Sequence, residues 1–335
     1  MTSGAVSGAS HTGCTNLSEK ALKSCADMLG ASFSDNSDAT LNEGYPVFAW
    51  QITPDPFEGT GTSKNPYQIK SADNLNELAS LINSAYFGDT YRSAYYIQVN
   101  HIDLSDSDWA PIGISKEGFQ GSYDGKEHSI KGLKLSSETQ NSGLFGIVSG
   151  EAIIRNVAVY GDVSSTGDNV GGIAGEIQYG ASIVDCAYIG MVNGQKNVGG
   201  LAGRIWDSGA IFNCYSYGEI SGDFNVGGIT GAIECSNGSG MIKNCYHAGN
   251  VAGATDSTGG IAGIVNCDLT TGNAVTLKNS YYLKTSASTG FNGDAIIEDC
   301  TGVPQNVLKK LAEDLGTPYV DNVSPMFLEG YPCFS

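Results

Sequence analysis

The side chains of this sequence with chemistry to offer are nine cysteines, four histidines, a short run of aspartates and a series of regularly spaced tyrosines. The cysteines, at 14, 25, 186, 214, 235, 245, 267, 300 and 333, show no CxxC or Cys/His spacing, so a structural zinc site is not predicted. Cys235 and Cys267 end equivalent strings, GAIEC and GIVNC, and a disulfide joins them if those strings are neighbours in space. Cys14 and Cys300 are equivalent by position, and the differing partners Cys25 and Cys333 suggest bridges Cys14–Cys25 and Cys300–Cys333. Cys186, Cys214 and Cys245 read as small apolar packing. Asp103, Asp106 and Asp108 sit in HIDLSDSDW; they read as turn residues and as a weak calcium candidate without the closing glutamate of an EF-hand loop.

Catalysis finds little support. A glycosidase needs two carboxylates about 5–9.5 Å apart, whereas Asp162, Asp185, Glu219 and Asp223 scatter. His11, His101, His128 and His247 stand apart, so no Ser-His-Asp or Cys-His unit is read, and no catalytic residue or cofactor is assigned. Glu176 and Arg204 occupy equivalent places and are expected to pair as exposed charges. Tyr215, Tyr246 and Tyr281 share one position, with Tyr188 and Tyr282 sharing another nearby. Facing outward, such a stripe stacks on sugar rings or a protein partner; packed within the wall it is structural, and the second reading is preferred. Trp206, in a turn, is the other candidate contact.

What positions these residues is a repeat. Segments beginning at Asn141, Asn169, Asn197, Asn225 and Ser257 align, their successive starts offset by 28, 28, 28 and 32. Each holds three short apolar runs separated by glycine or polar turns, as in Val198 to Ile205, Ala210 to Tyr217 and Glu219 to Ser221. Three strands in so short a repeat leave no room for a helix and describe one coil of a β-solenoid. Stacking at about 4.8 Å then turns equivalent positions into ladders. Ile154, Ile183, Ile211, Ile242 and Leu277 are predicted inside. Asn156, Asp185, Asn213, Asn244 and Asn279 are predicted at a bend that tolerates left-handed geometry. The glycine pairs 171–172, 199–200, 227–228 and 259–260 are predicted to mark close backbone approach or positive φ.

The pattern GG-[IL]-[AT]-G … N-[CS]-Y … G over residues 141–285 resembles the GLUG repeat of secreted and surface bacterial proteins. The strings FEGTGTSKNPYQIKSADNLNELASL and FQGSYDGKEHSIKGL resemble the lead-in of adhesin-like members. The resemblance implies a right-handed parallel β-helix and an adhesin-like or surface-array role; it carries no catalytic residues. The chain departs from the usual serine at Cys186, Cys214 and Cys245.

Composition agrees. The 335 residues include 46 glycines and 9 prolines, suiting many short strands joined by glycine turns. Thirty-five acidic against 17 basic residues give −18, which disfavours nucleic acid or anionic lipid as partners. No apolar run reaches the ~20 residues of a bilayer span, and MTSGAVSGAS is not read as a signal peptide. Frequent cysteine in such a fold leans extracellular.

Residues 71–82 read as a helix N-capped by Ser71, with Leu75, Leu78, Ala79 and Ile82 on one face, covering the open end of the first coil near Tyr95. Residues 14–48 match 300–334 at a constant offset of 286 without a gap, each a helix ended by glycine and followed by EGYPxF. One reading is a cap used twice; the preferred one makes residues 1–49 the tail of a preceding module. The expected organisation is thus 1–49, a lead-in with capping helix at 50–94, the solenoid at 95–290, and a closing helix and strand at 291–335. The predicted function is a non-enzymatic module of a large secreted or surface protein, with a host or neighbouring-cell protein or glycan and adjacent tandem modules as partners. A carbohydrate-binding module is the alternative, and a polysaccharide lyase or hydrolase the least favoured.

Overall fold

The computed structural model describes residues 18, 22, 33–34, 47–48, 56–84, 88–106, 108–254, 257–267, 274–316, 318–320 and 331–334. The chain divides into two compact units, Met1–Pro56 and Phe57–Ser335. Cys14 and Cys25, and with them the first predicted bridge, lie outside the described residues.

In the second unit the repeat folds as a solenoid of parallel strands. One column runs Tyr67, Tyr96, Tyr123, Ile154, Ile183, Ile211, Ile242, Leu277 and Ile297, each paired in register with the next. All but the last are buried. The column starts at Tyr67, a coil earlier than Tyr95, and ends past residue 290, because Tyr67–Ile69 and Ile296–Val303 both pair in parallel with solenoid strands. A second sheet stacks Phe145–Val148, Ala174–Gln178, Ala202–Trp206, Thr230–Cys235 and Ala262–Cys267 on another side. Each coil has three strands, but the third is not short. In the coil of Asn197 it runs Tyr215–Gly227, thirteen residues, bending at Gly218 and Asn225 where φ is positive. Asp124-Gly125, readable as a hairpin turn, is a solenoid bend, since Ser122–Asp124 pairs in parallel on both sides.

The bends explain the composition. Asn156, Asp185, Asn213, Asn244 and Asn279 all have φ between 45° and 54°. Each asparagine amide of this column donates to the side chain one rung away: Asn156 to Asp124 at 2.9 Å, Asn213 to Asp185 at 2.8 Å, Asn244 to Asn213 at 2.9 Å and Asn279 to Asn244 at 3.2 Å. A second column, Asn141, Asn169, Asn197 and Asn225, repeats the device at 2.8 Å per step. Gly161, Gly190, Gly218 and Gly249 stack at φ 136–157°, where a Cβ would lie within 2.0 Å of the carbonyl of the preceding rung. The paired glycines serve close approach: a Cβ on Gly200 or Gly228 would meet the next rung's carbonyl at 2.3 and 2.2 Å.

Cys186, Cys214 and Cys245 form a buried column of free thiols. Their Sγ atoms donate to the carbonyls of Val184, Phe212 and Lys243, two residues back, at 3.1, 3.0 and 3.2 Å. Ser280 makes the same bond to Lys278 at 2.9 Å, so thiol and hydroxyl are interchangeable at this bend. Burial raises the Cys245 thiol to about 12, leaving it neutral and inert.

The helix forms as predicted, Ala72–Asn83, with Ser71 accepting from the Asn74 N–H and Leu75, Leu78, Ala79 and Ile82 buried in the solenoid core. Asn83 ties it to the coil beyond through Pro111, Gly113 and Ile114. No helix among the described residues is long and apolar enough to cross a membrane.

Cys235 and Cys267 pair in register and form the predicted disulfide, with Cα atoms 4.6 Å apart. Cys300 and Cys333 are both free thiols. Cys300 pairs beside Ser280 in the inward cysteine column, whereas Cys333 lies in an antiparallel pair on the outside of the sheet, so the wall separates them.

His247 is fully buried. Ser216 Oγ gives its proton to the Gly228 carbonyl at 2.6 Å and so accepts from His247 Nδ1 at 2.9 Å; Nε2 has no partner among the described residues. The ring is therefore neutral, and burial lowers its pKa to about 4. Between an unfolded value near 6.5 and that value the unfolded chain takes up a proton that the native chain refuses. Stability is expected to fall as pH drops through this window, by about 1.4 kcal/mol per unit, and to level off below it. Chemical denaturation of the wild type and His247→Gln at pH 7 and pH 5 checks this; a difference between the two proteins that does not change with pH contradicts it.

Reaching the same core from another side, replacing Cys267 by serine opens a cystine whose sequence separation is 32. It is expected to lower unfolding free energy by roughly 3–4 kcal/mol on the loop-entropy account. Denaturant midpoints with and without reductant measure it, and an unchanged midpoint refutes it.

Candidate functional site

The tyrosine column points outward, as the inward positions to either side require. Ser129, Ala158, Ala187, Tyr215, Tyr246, Tyr281 and Thr301 follow one another in register. Tyr215 and Tyr246 stack with ring centres 5.1 Å apart and planes 8° from parallel. The stripe is not open to a ligand: Tyr215, Tyr246 and Tyr281 are all buried, under the chain's own C-terminal segment.

That segment, a strap, follows directly from the last solenoid strand. Pro304 starts a short helix, Gln305–Leu308, and a second, Ala312–Leu315, ends at Gly316 with φ 76°. The continuous helix expected here is broken into two turns, and Tyr319–Val320 then pairs antiparallel with Cys333–Phe334. Leu308, Leu311, Ala312, Leu315, Tyr319 and Tyr331 are buried against the tyrosines. Phe334 lies 5.1 Å from the Tyr215 ring and Tyr319 5.9 Å from Tyr246. The hydroxyls find partners as buried phenols must: Tyr246 donates to the Pro332 carbonyl, Tyr319 to Asn244 at 3.2 Å and Tyr281 to Asp299 at 2.8 Å. Burial raises the pKa of all three hydroxyls, so they remain protonated.

Where the column changes from tyrosine to alanine the strap no longer fills the surface. A groove of about 470 Å³ opens there, lined among others by His101, Glu127, Lys131, Tyr160, Asp185 and Phe334. His101 and His128, far apart in sequence, meet edge to face at 5.0 Å, and His101 Nδ1 accepts from the Ser129 N–H at 2.9 Å. Lys131 Nζ lies 5.7 Å from the Tyr160 ring centre.

On the five-stranded sheet, Glu176 and Arg204 pair at 2.7 Å as the spacing predicts, but the pair is not exposed and has a third member. Arg204 also reaches Glu234 at 3.1 Å and stacks on Trp206 at 4.3 Å. Glu176 is buried, bridged by Asn169 of the second asparagine column at 3.1 Å. Burial raises its carboxyl, the Arg204 guanidinium opposes that, and Glu234 adds to it. Glu234 was recoverable from the sequence, since it occupies the place of Trp206 one coil on. Trp206 is half-buried by this stacking.

The three aspartates of the calcium candidate are exposed and do not converge. Asp103 accepts from the Ser105 N–H at 3.0 Å, and Asp108 pairs with Lys134 at 3.6 Å. Among the described residues no three His, Cys, Asp or Glu side chains gather as a metal site would need.

Removing a ring from the covered column tests this assignment. Tyr246→Ala is expected to cost about 3–5 kcal/mol, as loss of a packed aromatic does, whereas Trp206→Ala costs about 1 kcal/mol or less. Equal, small losses in denaturant unfolding contradict the burial of Tyr246.

No protein-family model matches the chain. Residues of the chain are 30% identical over 108 positions, 31% of the chain, to a protein of Evansella cellulosilytica named provisionally as a Gly-rich membrane protein. They are 29% identical over 192 positions, 51% of the chain, to halomucin of Haloquadratum walsbyi. The chain spans only 12% and 2% of the lengths of these two relatives. Among solved structures, one from Bacteroides ovatus named provisionally as an immunoglobulin A1 protease superposes with TM-score 0.59 at 22% identity, over 83% of this chain and 94% of that one. At that identity the likeness is one of fold.

Proposed function

We propose that the chain is a non-enzymatic, adhesin-like or structural module of a larger secreted or cell-surface protein, of the GLUG-repeat kind. On this reading it is a stiff spacer between adjacent modules that presents a lateral face to a protein or glycan of a host or neighbouring cell. The observation that carries the reading is that the side chains best suited to chemistry are consumed by the fold. The tyrosines lie under the strap, Glu176 and Glu234 share Arg204, and the Ser216 hydroxyl is committed to a carbonyl beside a sealed imidazole. A serine nucleophile needs the opposite arrangement, an exposed hydroxyl whose proton the imidazole accepts. The disulfide and the membrane and halomucin names of the relatives support an extracellular setting.

The name of the Bacteroides neighbour makes proteolysis worth an assay. Incubation with immunoglobulin A1 is expected to leave the heavy chain intact, and uronate polymers are expected to keep their length. Cleavage of either that disappears when the protein is omitted overturns the non-enzymatic reading.

Glycan binding is a second reading, now favoured by the groove beside Tyr160 rather than by the covered stripe. A glycan array with Tyr160→Ala as control decides it: binding that Tyr160→Ala abolishes supports the groove, and binding indifferent to Tyr160 refutes it.

A further inference from the structure

The asparagine ladder is broken where it passes the groove. Its bend column runs Asn156, Asp185, Asn213, Asn244, Asn279 and Asp299 on successive rungs. Asp185 Oδ1 accepts from the Asn213 amide at 2.8 Å, as an asparagine there would. The other carboxylate oxygen stands where an asparagine would carry the amide that donates to Asn156. An ionised carboxylate has no proton to give. The Asn156 carboxamide oxygen therefore has no donor among the described residues, whereas those of Asn213 and Asn244 accept at 2.9 and 3.2 Å.

The backbone does not call for this exchange. Asp185 has φ 52° and Asn156 φ 54°, the ordinary geometry of the bend. The second column, Asn141 to Asn225, makes every step with asparagine. Asp299, the other aspartate of the broken column, has both oxygens occupied by hydroxyls, Tyr281 at 2.8 Å and Thr301 at 3.0 Å. Asp185 has neither a hydroxyl nor an ion-pair partner among the described residues. Two acceptors thus face each other at a site that one nitrogen would repair, a local conflict of the kind that functional sites retain.

Asn156 and Asp185 both line the groove, whose volume of about 470 Å³ falls within the range of small-molecule sites. Glu127 adjoins them, with its N–H on the Asn156 carbonyl at 2.9 Å and its side chain exposed. Ala158, Tyr160 and Phe334 supply apolar surface beside these acceptors. A fitting ligand must bring protons to the oxygens. Carboxylates at 127 and 185 disfavour an anion, and Lys131 near the Tyr160 ring opposes a second cation there. Neutral hydroxyl donors on a ring with an apolar face meet all these conditions.

We propose that the groove binds a neutral hexopyranose, its vicinal hydroxyls donating to Asn156 Oδ1 and Asp185 and its apolar face lying against Tyr160. The inference deepens the glycan reading of the groove and rests on it for the ligand class. The gap in the ladder stands independently of that reading.

Asp185→Asn tests both parts, since it supplies the missing donor at unchanged size. Wild type and variant are titrated calorimetrically, with EDTA present, against neutral gluco-, galacto- and manno-tetrasaccharides and against tetragalacturonate. The wild type is expected to bind at least one neutral sugar ten times more tightly than tetragalacturonate. The variant is expected to bind that sugar at least tenfold more weakly and to melt about 2–4 °C higher, through the restored hydrogen bond. A melting temperature that is unchanged or lower contradicts the broken ladder. Neutral-sugar binding that Asp185→Asn leaves intact overturns the assignment of Asp185. Binding of tetragalacturonate alone, lost in Tyr160→Ala, overturns the neutral class and leaves the glycan reading standing. Binding of none of the four sugars overturns both.

Discussion

The constraint on which the rest of the structure depends is that every bend of the coil must fall on the same bend one rung away. A bend turns backbone carbonyls and amides out of the strand ladder, and a buried one left unpaired costs as much as several good contacts gain. At the asparagine bends a left-handed residue gives its own N–H to a carbonyl of the next rung, as Asn213 does to Lys243 and Asn244 to Lys278, while its carboxamide is donor to one rung and acceptor from the other. The glycine column does the complementary work where the rungs approach too closely for a Cβ. Thiols and one hydroxyl then take up carbonyls at the asparagine bend. None of these devices works in a single coil, so the repeat is cooperative by construction.

The outer surface follows from the inner one. Strand alternation that places Ile183 and Ile211 inside places other positions out, and on three successive rungs one of these is tyrosine. Three adjacent phenols make an apolar patch that water does not favour, and the strap covers it, its Pro332 carbonyl accepting from the Tyr246 hydroxyl. Where Ala158 replaces tyrosine the cover stops and a groove remains.

The features that recur were legible in the sequence. Five aligned segments determine the rung spacing, the inward isoleucines, the left-handed asparagines and the Cys235–Cys267 pairing, because a ladder position is set by its offset alone. What does not recur was not legible. The Tyr67 rung lies before a helix, outside the repeat. The His101 and His128 contact depends on two irregular coils. Periodicity locates Tyr246 on a column but is silent on what lies over it, since the strap that contacts it comes from beyond the end of the repeat. Cys300 and Cys333 were mispaired for a related reason: equivalence between the two termini says nothing about which side of the sheet wall each thiol occupies.

Spacing between equivalent exposed positions gives the most direct test of the stacked-coil account. Glu219 and Asn250 face solvent on adjacent rungs, and Lys134 stands on the same column three rungs before Glu219. Nitroxides attached through a genetically encoded ketone amino acid at 219 and 250 should show strong dipolar broadening, their backbones being about 5 Å apart. Labels at 134 and 250 should give a narrow pulsed-dipolar distance centred at about 20 Å, four rungs at the strand spacing. Absence of broadening in the first pair, or a broad distribution centred well beyond four rungs in the second, would contradict the in-register solenoid.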